Sequence, residues 1–256
     1  MKNLFDISGK VALVTGGSRG IGEMIATGYV ENGAKVYISS RKRDVCDEIA
    51  ARLSRRGACI SLPADLSTQE GVQGLAGALA ARERRLDILV NNAGASWGAP
   101  IEEFPEAGWD KVVDLNLKAV FFLTQKLLPL LRAAASAEQP ARVINIASID
   151  GIRPPPLHES FAYSASKAGC IMLTRHLARR LAPEEILVNA IAPGPFESQM
   201  MKHTLAQHGD QIRASNPRKR IGTPEDIAGV AIFLASRASA YTTGAVIPCD
   251  GGVAEV

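Results

Sequence analysis

Val11-Ala12-Leu13-Val14-Thr15-Gly16-Gly17-Ser18-Arg19-Gly20-Ile21-Gly22 decides how the rest of the chain is read. An apolar run of strand length ends in a glycine-rich turn. A helix-like segment, residues 21–31, follows and stops at Asn32-Gly33. The glycines fall at 16, 20 and 22, a G-x-x-x-G-x-G spacing rather than G-x-G-x-x-G. Glycine is needed where a chain turns sharply and where backbone must approach a pyrophosphate closely. A helix opening at such a turn presents N–H groups and the positive end of its dipole to an anion. The alternative reading is a tight strand–helix turn with no ligand.

Outward from this stretch, short apolar runs alternate with longer helical ones. Strands are expected at 36–38, 59–62, 86–90, 142–147, 187–192 and 246–247. Helices are expected at 44–56, 68–85, 106–131, through Tyr163 to Leu181, and 224–236. Pro105 and Pro224 stand at helix starts, and Gly57 follows a helix end. Apolar strands joined by helical crossovers imply a parallel sheet covered on both faces. No Pro/Gly/Ser-rich linker divides the 256 residues, so one domain is expected.

Bulk properties exclude several classes. Hydrophobic residues make up 46%, enough for a large core, and no low-complexity stretch occurs. The formal charge of +3 argues for no nucleic-acid partner. The basic run Arg218-Lys219-Arg220 reads as solvated surface. The first residues lack a signal-peptide core, and no apolar stretch reaches the roughly 18 residues of a membrane span. Cys46, Cys59, Cys170 and Cys249 form no C-x-x-C pair, and the histidines lack ligand spacing, so neither a disulfide framework nor a metal site is expected. Together these features point to a reduced, cytoplasmic protein.

The stretch from Thr15 to Gly22 resembles the cofactor motif of the short-chain dehydrogenase/reductase superfamily, and further signatures follow in order. Asp65 comes after the third strand, Asn91-Asn92-Ala93-Gly94 after the fourth, and Asn116 lies in the next helix. Ser148 ends the fifth strand, Tyr163-Ser-Ala-Ser-Lys167 supplies Y-x-x-x-K, Pro193-Gly194 follows the sixth strand, and Asp250-Gly251-Gly252 closes the chain. Within that superfamily the chain is similar to 3-oxoacyl-(acyl carrier protein) reductases of the rhamnolipid-biosynthesis type, through Asn92–Gly98, Arg142–Ala147 and Ile191–Ser198. The resemblance implies a single Rossmann-type doubly wound α/β domain, its seven-stranded sheet mostly or wholly parallel with helices on both faces. It also implies a homotetramer. The helices at 106–131 and 161–182, whose outer faces would otherwise expose Phe121, Leu128 and Leu173, fit an oligomer.

Tyr163 and Lys167 are four apart on a helix and share one face. A nearby ammonium and an oxidised nicotinamide both favour phenolate, so the Tyr163 pKa is expected to fall from near 10. The phenol would then pass a proton to a reduced carbonyl, or take one from an alcohol, near neutral pH. Ser148 is placed to hydrogen-bond the substrate oxygen where alkoxide charge develops. By resemblance, Lys167 also holds the nicotinamide ribose, and Asn116 holds a water that links Lys167 to solvent. Asp65 either contacts adenine or caps the helix after Leu66. Asn92, Ala93 and Gly94 are expected to line the cofactor, as are Gly16, Ser18, Arg19, Gly20, Ile21, Gly22, Leu66, Pro193, Gly194 and Ser198.

The second strand ends in Ser39-Ser40-Arg41, where an acid would select the ribose hydroxyls of NAD. Ser40 and Arg41, with Arg19 opposite, suit a 2′-phosphate and hence NADPH/NADP+; the alternative is a solvated Arg41. The activity implied is reversible hydride transfer between a carbonyl and a secondary alcohol. An acyl thioester is the expected substrate, with gluconate-type sugar acids or small ketones as alternatives. A non-catalytic dinucleotide-sensing protein is the reading from another class. Ser148 and Tyr163 are 15 apart in the sequence, and the proline-rich loop 151–160 between them shapes the pocket or is a surface insertion; His158 within it is assigned no chemistry. Residues from about 195 to 216 are expected to form a mobile substrate lid.

Overall fold

The computed structural model describes residues 3–156, 159–199 and 201–254. The strands are β1 (Val11–Thr15), β2 (Lys35–Ser39), β3 (Cys59–Ser61), β4 (Ile88–Asn91), β5 (Ala141–Ile146), β6 (Ile186–Pro193) and β7 (Val246–Cys249). The helices are α1 (Gly20–Glu31), α2 (Arg43–Leu53), α3 (Gln69–Ala80), α4 (Glu106–Val113), α5 (Ala119–Ala134), α6 (Phe161–Leu181), α7 (Lys202–Ser215) and α8 (Pro224–Ala235). Strand order is β3-β2-β1-β4-β5-β6-β7. Every pairing is parallel, so the sheet is wholly so.

Period-2 alternation sorts each apolar strand between two cores. From β1, Ala12 and Val14 join α1, α2 and α8 on one face. Val11 and Leu13 join α3, α5 and α6 on the other. The order reverses between β1 and β4, and a doubly wound sheet opens its ligand crevice at the strand C-termini there.

Three elements end differently from the sequence expectation. The helix expected to reach residue 56 stops at Leu53, because the Ser54 hydroxyl bonds both Ala50 O (2.7 Å) and Cys59 O (2.8 Å), turning the chain into β3. The helix expected to reach residue 85 stops at Ala80. Its continuation holds good helix formers, but Glu83 is drawn to β2, where Tyr37 donates to it at 2.6 Å and Lys35 pairs with it at 2.5 Å. The helix expected over 106–131 is interrupted by a π-helical turn, Asp114–Lys118, which separates α4 from α5. On the faces of α5 and α6, Phe121 is exposed as expected, while Leu128 and Leu173 are half-buried. Met172 (59% exposed) and Phe161 (38%) are the large apolar residues that α6 leaves open among the described residues.

Helices α1 and α8 touch through small residues. A Cβ on Gly28 would stand 2.7 Å from Ala228 Cβ, closer than carbon atoms pack. In a free helix Gly28→Ala gains roughly 0.8–1 kcal/mol of propensity, whereas overpacking costs about 1–3 kcal/mol. The variant is therefore expected to lower the urea midpoint; a raised midpoint would show that the two helices part without cost.

Candidate active site

Thr15, the last residue of β1, ties the switch point together. Its Oγ1 accepts from Asn92 N (2.9 Å) and Ala93 N (3.0 Å) and donates to Val90 O (3.3 Å). Asn92 answers by donating from Nδ2 to Thr15 O (2.9 Å) and Gly16 O (3.3 Å). The Asn92 amide therefore braces the glycine turn from behind, and what it can offer a cofactor is backbone. Thr15 was missed in the sequence; a β-branched hydroxyl immediately before the first glycine is the signal that marks it.

Gly16 (φ +63°) and Gly20 (φ +54°) adopt the left-handed conformation that a side chain resists. Helix α1 opens with no side chain capping its first turn, so its N–H groups face the crevice for an external acceptor. Ser18 is buried, Ile21 packs against the core, and Arg19 is exposed at the crevice edge. Gly22 packs against Gly16 O and the Asn92 amide, with no room for a Cβ. Ser198 meets the turn from across the crevice, since a Cβ on Gly20 would stand 3.1 Å from Ser198 Cβ. The Ser39 hydroxyl, at the end of β2, is buried without a partner, and Ser40 and Arg41 follow it. Arg41 is exposed and, among the described residues, engages no other side chain. An uncapped helix start, glycines at the turn, an unpaired hydroxyl and a free guanidinium fit a phosphorylated dinucleotide.

Other expected cofactor residues fall into place with changed roles. Asp65 Oδ1 accepts from Ser67 N (3.0 Å) and Ser67 Oγ (2.7 Å); the cap of α3 is Thr68, whose hydroxyl accepts from Gly71 N. Leu66 is buried in the α3 core, so only its backbone can reach a ligand. Gly94 lies against Asn116 Oδ1, 3.2 Å from a would-be Cβ. Pro193 ends β6, and Gly194 presses on Asp250, donating its N–H to Cys249 O (3.1 Å).

The four expected catalytic residues come from three elements. Ser148 stands just beyond β5, accepting from Asp150 N (3.1 Å), and is near enough to the Tyr163 phenol to favour its ionised form. Lys167 Nζ lies 5.6 Å from the Tyr163 ring centre and donates to Ile146 O at 2.7 Å. Asn116 sits in the π turn. Its amide bonds both N and O of Ala95 (2.8 and 2.9 Å) and donates to Ser166 Oγ (3.1 Å), which donates to Tyr163 O (2.7 Å). The Asn116 side chain is thus committed to the loop after β4, and any water it orders must be met by its backbone.

A nearby ammonium and an oxidised nicotinamide together were expected to depress the Tyr163 phenol; the chain's own groups raise it. Burial pushes the phenol up to about 12; the Ser148 hydrogen bond opposes this, and Asp150 and Cys170 add to the rise. Burial also lowers Lys167, whose ammonium points to a strand carbonyl rather than the phenolic oxygen.

Two loops and one helix frame this group. Ala99 N bonds Glu159 O (3.3 Å), joining the loop after β4 to the loop after β5. Trp97 (36%), Ile101 (65%) and Ile152 (42%) are exposed on these loops. His158 lies outside the described residues, as does Met200 of the expected lid. The lid segment is anchored at both ends. Phe196 is buried with its ring on Gly222, and Asn216 is buried, its Nδ2 donating to Asp250 O (2.9 Å). Between them runs α7, of which only Gly209 is buried. The basic run beyond is not merely solvated: Arg220 forks onto Asp226 at 2.5 and 3.0 Å and holds its carboxyl far below the usual range.

The family model described as enoyl-(acyl carrier protein) reductase matches residues 16–254. The chain belongs to this family, within the short-chain dehydrogenase/reductases, and is an oxidoreductase. It is similar to the rhamnolipids biosynthesis 3-oxoacyl-(acyl-carrier-protein) reductase of Pseudomonas aeruginosa, at 52% identity over 254 residues, covering 98% of this chain and 99% of that one. Among solved structures, the Pseudomonas aeruginosa RhlG/NADP active-site complex superposes with a TM-score of 0.96 at 52% identity, covering 99% and 100% of the two chains. A gluconate 5-dehydrogenase from Burkholderia cenocepacia J2315 in complex with NADP and tartrate superposes at 0.91 with 30% identity, covering 99% and 98%.

Tyr163 holds its proton to about 12 in the fold but only to about 10 when unfolded. Its contribution to stability is complete below the unfolded value and lost as pH rises through the folded one. Tyr163→Phe removes that dependence. Its unfolding free energy should fall less than the wild type's between about pH 9 and about pH 11 in urea titrations; parallel decline would mean that the buried phenol titrates normally.

Proposed function

We propose that the chain is an NADPH-dependent reductase of 3-oxoacyl thioesters. The observation that carries the substrate is the exposure of three apolar side chains, Trp97, Ile101 and Ile152, on the segments after β4 and β5. Exposed apolar surface gains from covering an acyl chain and offers a polyol few partners. The relatives named above support the same reading: 52% identity to a 3-oxoacyl reductase and 30% to a gluconate dehydrogenase. Assay of NADPH oxidation with a 3-oxoacyl thioester and with 5-ketogluconate tests it. Turnover of the sugar acid alone would install the rival substrate class, and turnover of neither or any generic diketone would favour a dinucleotide-sensing protein.

In the proposed reaction the nicotinamide supplies hydride to the carbonyl carbon. Ser148 and Tyr163 share the substrate oxygen, the first as hydrogen-bond donor and the second as proton donor. Lys167 is buried (5% exposed) and retains donors for the ribose beside its bond to Ile146 O. Gly16, Ser18, Gly20, Ile21 and Gly22 hold the pyrophosphate through backbone and hydroxyl, and Ser198 faces them. Ser40, Arg41 and Arg19 take the 2′-phosphate. Asp65, Leu66 and Asn92–Gly94 line the adenosine and ribose, and Pro193-Gly194 the nicotinamide. Exposed Phe121 and Met172 on α5 and α6 fit burial in a homotetramer, and four free thiols fit a cytoplasmic location.

Tyr163→Phe should cut turnover roughly 10²–10⁴-fold while NADPH affinity stays nearly unchanged. Steady-state rates with cofactor fluorescence titration check this; near-normal turnover would remove Tyr163 from the reaction.

NADPH should be strongly preferred, since a charged hydrogen bond is worth about 1.5–3 kcal/mol. Ser40→Asp with Arg41→Ala should reverse the preference by accepting from the free ribose hydroxyls and repelling the phosphate. Equal use of both cofactors by the wild type would leave Arg41 a solvated cation.

The segment between Phe196 and Asn216 is proposed to be a lid over the substrate. Its anchors are buried while α7 rests on little, so opening costs few apolar contacts. Trypsin is expected to cut at exposed Lys202 or Arg213 in the free enzyme and to be blocked by NADPH with substrate. Equal resistance in both states would make α7 a fixed wall.

A further inference from the structure

Two buried side chains join the strand that carries Ser148 to the helix that carries Tyr163 and Lys167. Asn145 is fully buried near the end of β5, three residues before Ser148. Thr174 is fully buried on α6, seven residues after Lys167 and so on the same helix face. Asn145 Nδ2 donates to Thr174 Oγ1 at 2.9 Å, and the Thr174 hydroxyl donates to Cys170 O at 2.8 Å. On its other side, Asn145 Oδ1 accepts from Asn91 Nδ2 at 2.9 Å, and Asn91 also donates to Thr124 Oγ1 on α5 at 3.1 Å.

The donor and acceptor inventory leaves no freedom in this chain of bonds. The one hydroxyl proton of Thr174 is spent inside its own helix, so towards Asn145 it can only accept. The amide must therefore present its NH2 group to Thr174 and its oxygen to Asn91. An apolar side chain would fill the site between sheet and helix at no polar cost. The amide instead makes the packing conditional on register: a slip of α6 by one turn, about 5.4 Å, would strand a buried NH2 group.

We infer that Thr174, held by Asn145, is a positioning residue that fixes the register of α6 on β5 and so brings the Tyr163 phenol and the Ser148 hydroxyl to one substrate oxygen. The nearer tie between the two elements is Lys167 to Ile146 O. That tie belongs to a group with work to do at the cofactor. The Asn145–Thr174 bond lies two turns further down the helix, away from any ligand, and holds whatever Lys167 does.

The inference rests on the reading of Ser148 and Tyr163 as the reacting pair, and the test separates the two. Thr174→Val keeps the shape and deletes the acceptor; Thr174→Ser loses a methyl and keeps it. Turnover, KM, NADPH affinity and the pH profile of kcat are measured on both, with Tyr163→Phe alongside. Thr174→Val is expected to lower kcat at least tenfold and to displace its pH profile, with NADPH affinity within twofold of wild type; Thr174→Ser is expected to stay within threefold in kcat. Equal kcat in the two variants overturns the inference. So does a Thr174→Val protein that fails to fold or loses only thermal stability, because the hydroxyl would then serve stability alone. An active Tyr163→Phe enzyme would overturn the underlying reading instead.

Discussion

Beneath the crevice, one hydroxyl does what no side chain at the rim could do. Thr15 accepts two backbone N–H groups from the loop after β4 while donating to β4 itself. At the reversal of strand order the chain leaves β1 and β4 towards opposite faces of the sheet, so nothing in the ladder of strand hydrogen bonds fixes the two loops to each other. Thr15 and the Asn92 amide supply that fixation. With the glycine turn held from behind, its N–H groups and the opening of α1 can face outward unpaired, which a buried helix start tolerates only when a ligand is there to meet them.

The candidate group of Asn116, Ser148, Tyr163 and Lys167 is assembled by a different means, from separate elements. Ser148 follows β5, Tyr163 and Lys167 ride on α6, and Asn116 occupies the π turn between α4 and α5. The wide turn places the Asn116 amide between the loop after β4 and Ser166 of α6. Asn116, Ser148 and Lys167 are buried there. The surrounding protein groups alone keep Tyr163 protonated and depress Lys167. A positive charge brought beside the phenol would lower it again.

Much of this was legible in the amino-acid sequence because it is written in short-range patterns. The apolar strands, the glycine spacing and the four-residue step from Tyr163 to Lys167 all declare themselves locally. What was not legible depends on partners distant in sequence. Nothing near Asn116 announces a π turn; the helix pattern runs straight through it, and only the bond to Ala95 reveals why it widens. Sequence does not show that Thr15 and Gly16 claim the Asn92 amide, which leaves its backbone for a cofactor. Residues 81–85 read as helix because they are good helix formers, yet Glu83 belongs to Lys35 and Tyr37. Sequence likewise shows Lys167 four residues from Tyr163, not the burial that opposes it.

The anchoring of residues 196–216 has an evolutionary consequence. Phe196 on Gly222, Asn216 on Asp250 and Arg220 on Asp226 complete the body of the protein without help from what lies between them. With Gly209 as its one buried residue and Leu205 and Ile212 half-buried, α7 contributes few apolar contacts to folding stability. Many substitutions on its exposed face would therefore cost the fold little. A scaffold arranged in this way lets one catalytic centre diversify its clientele at little risk to the fold, and it makes the span between the two anchors a natural unit for transplanting substrate preference from one relative to another.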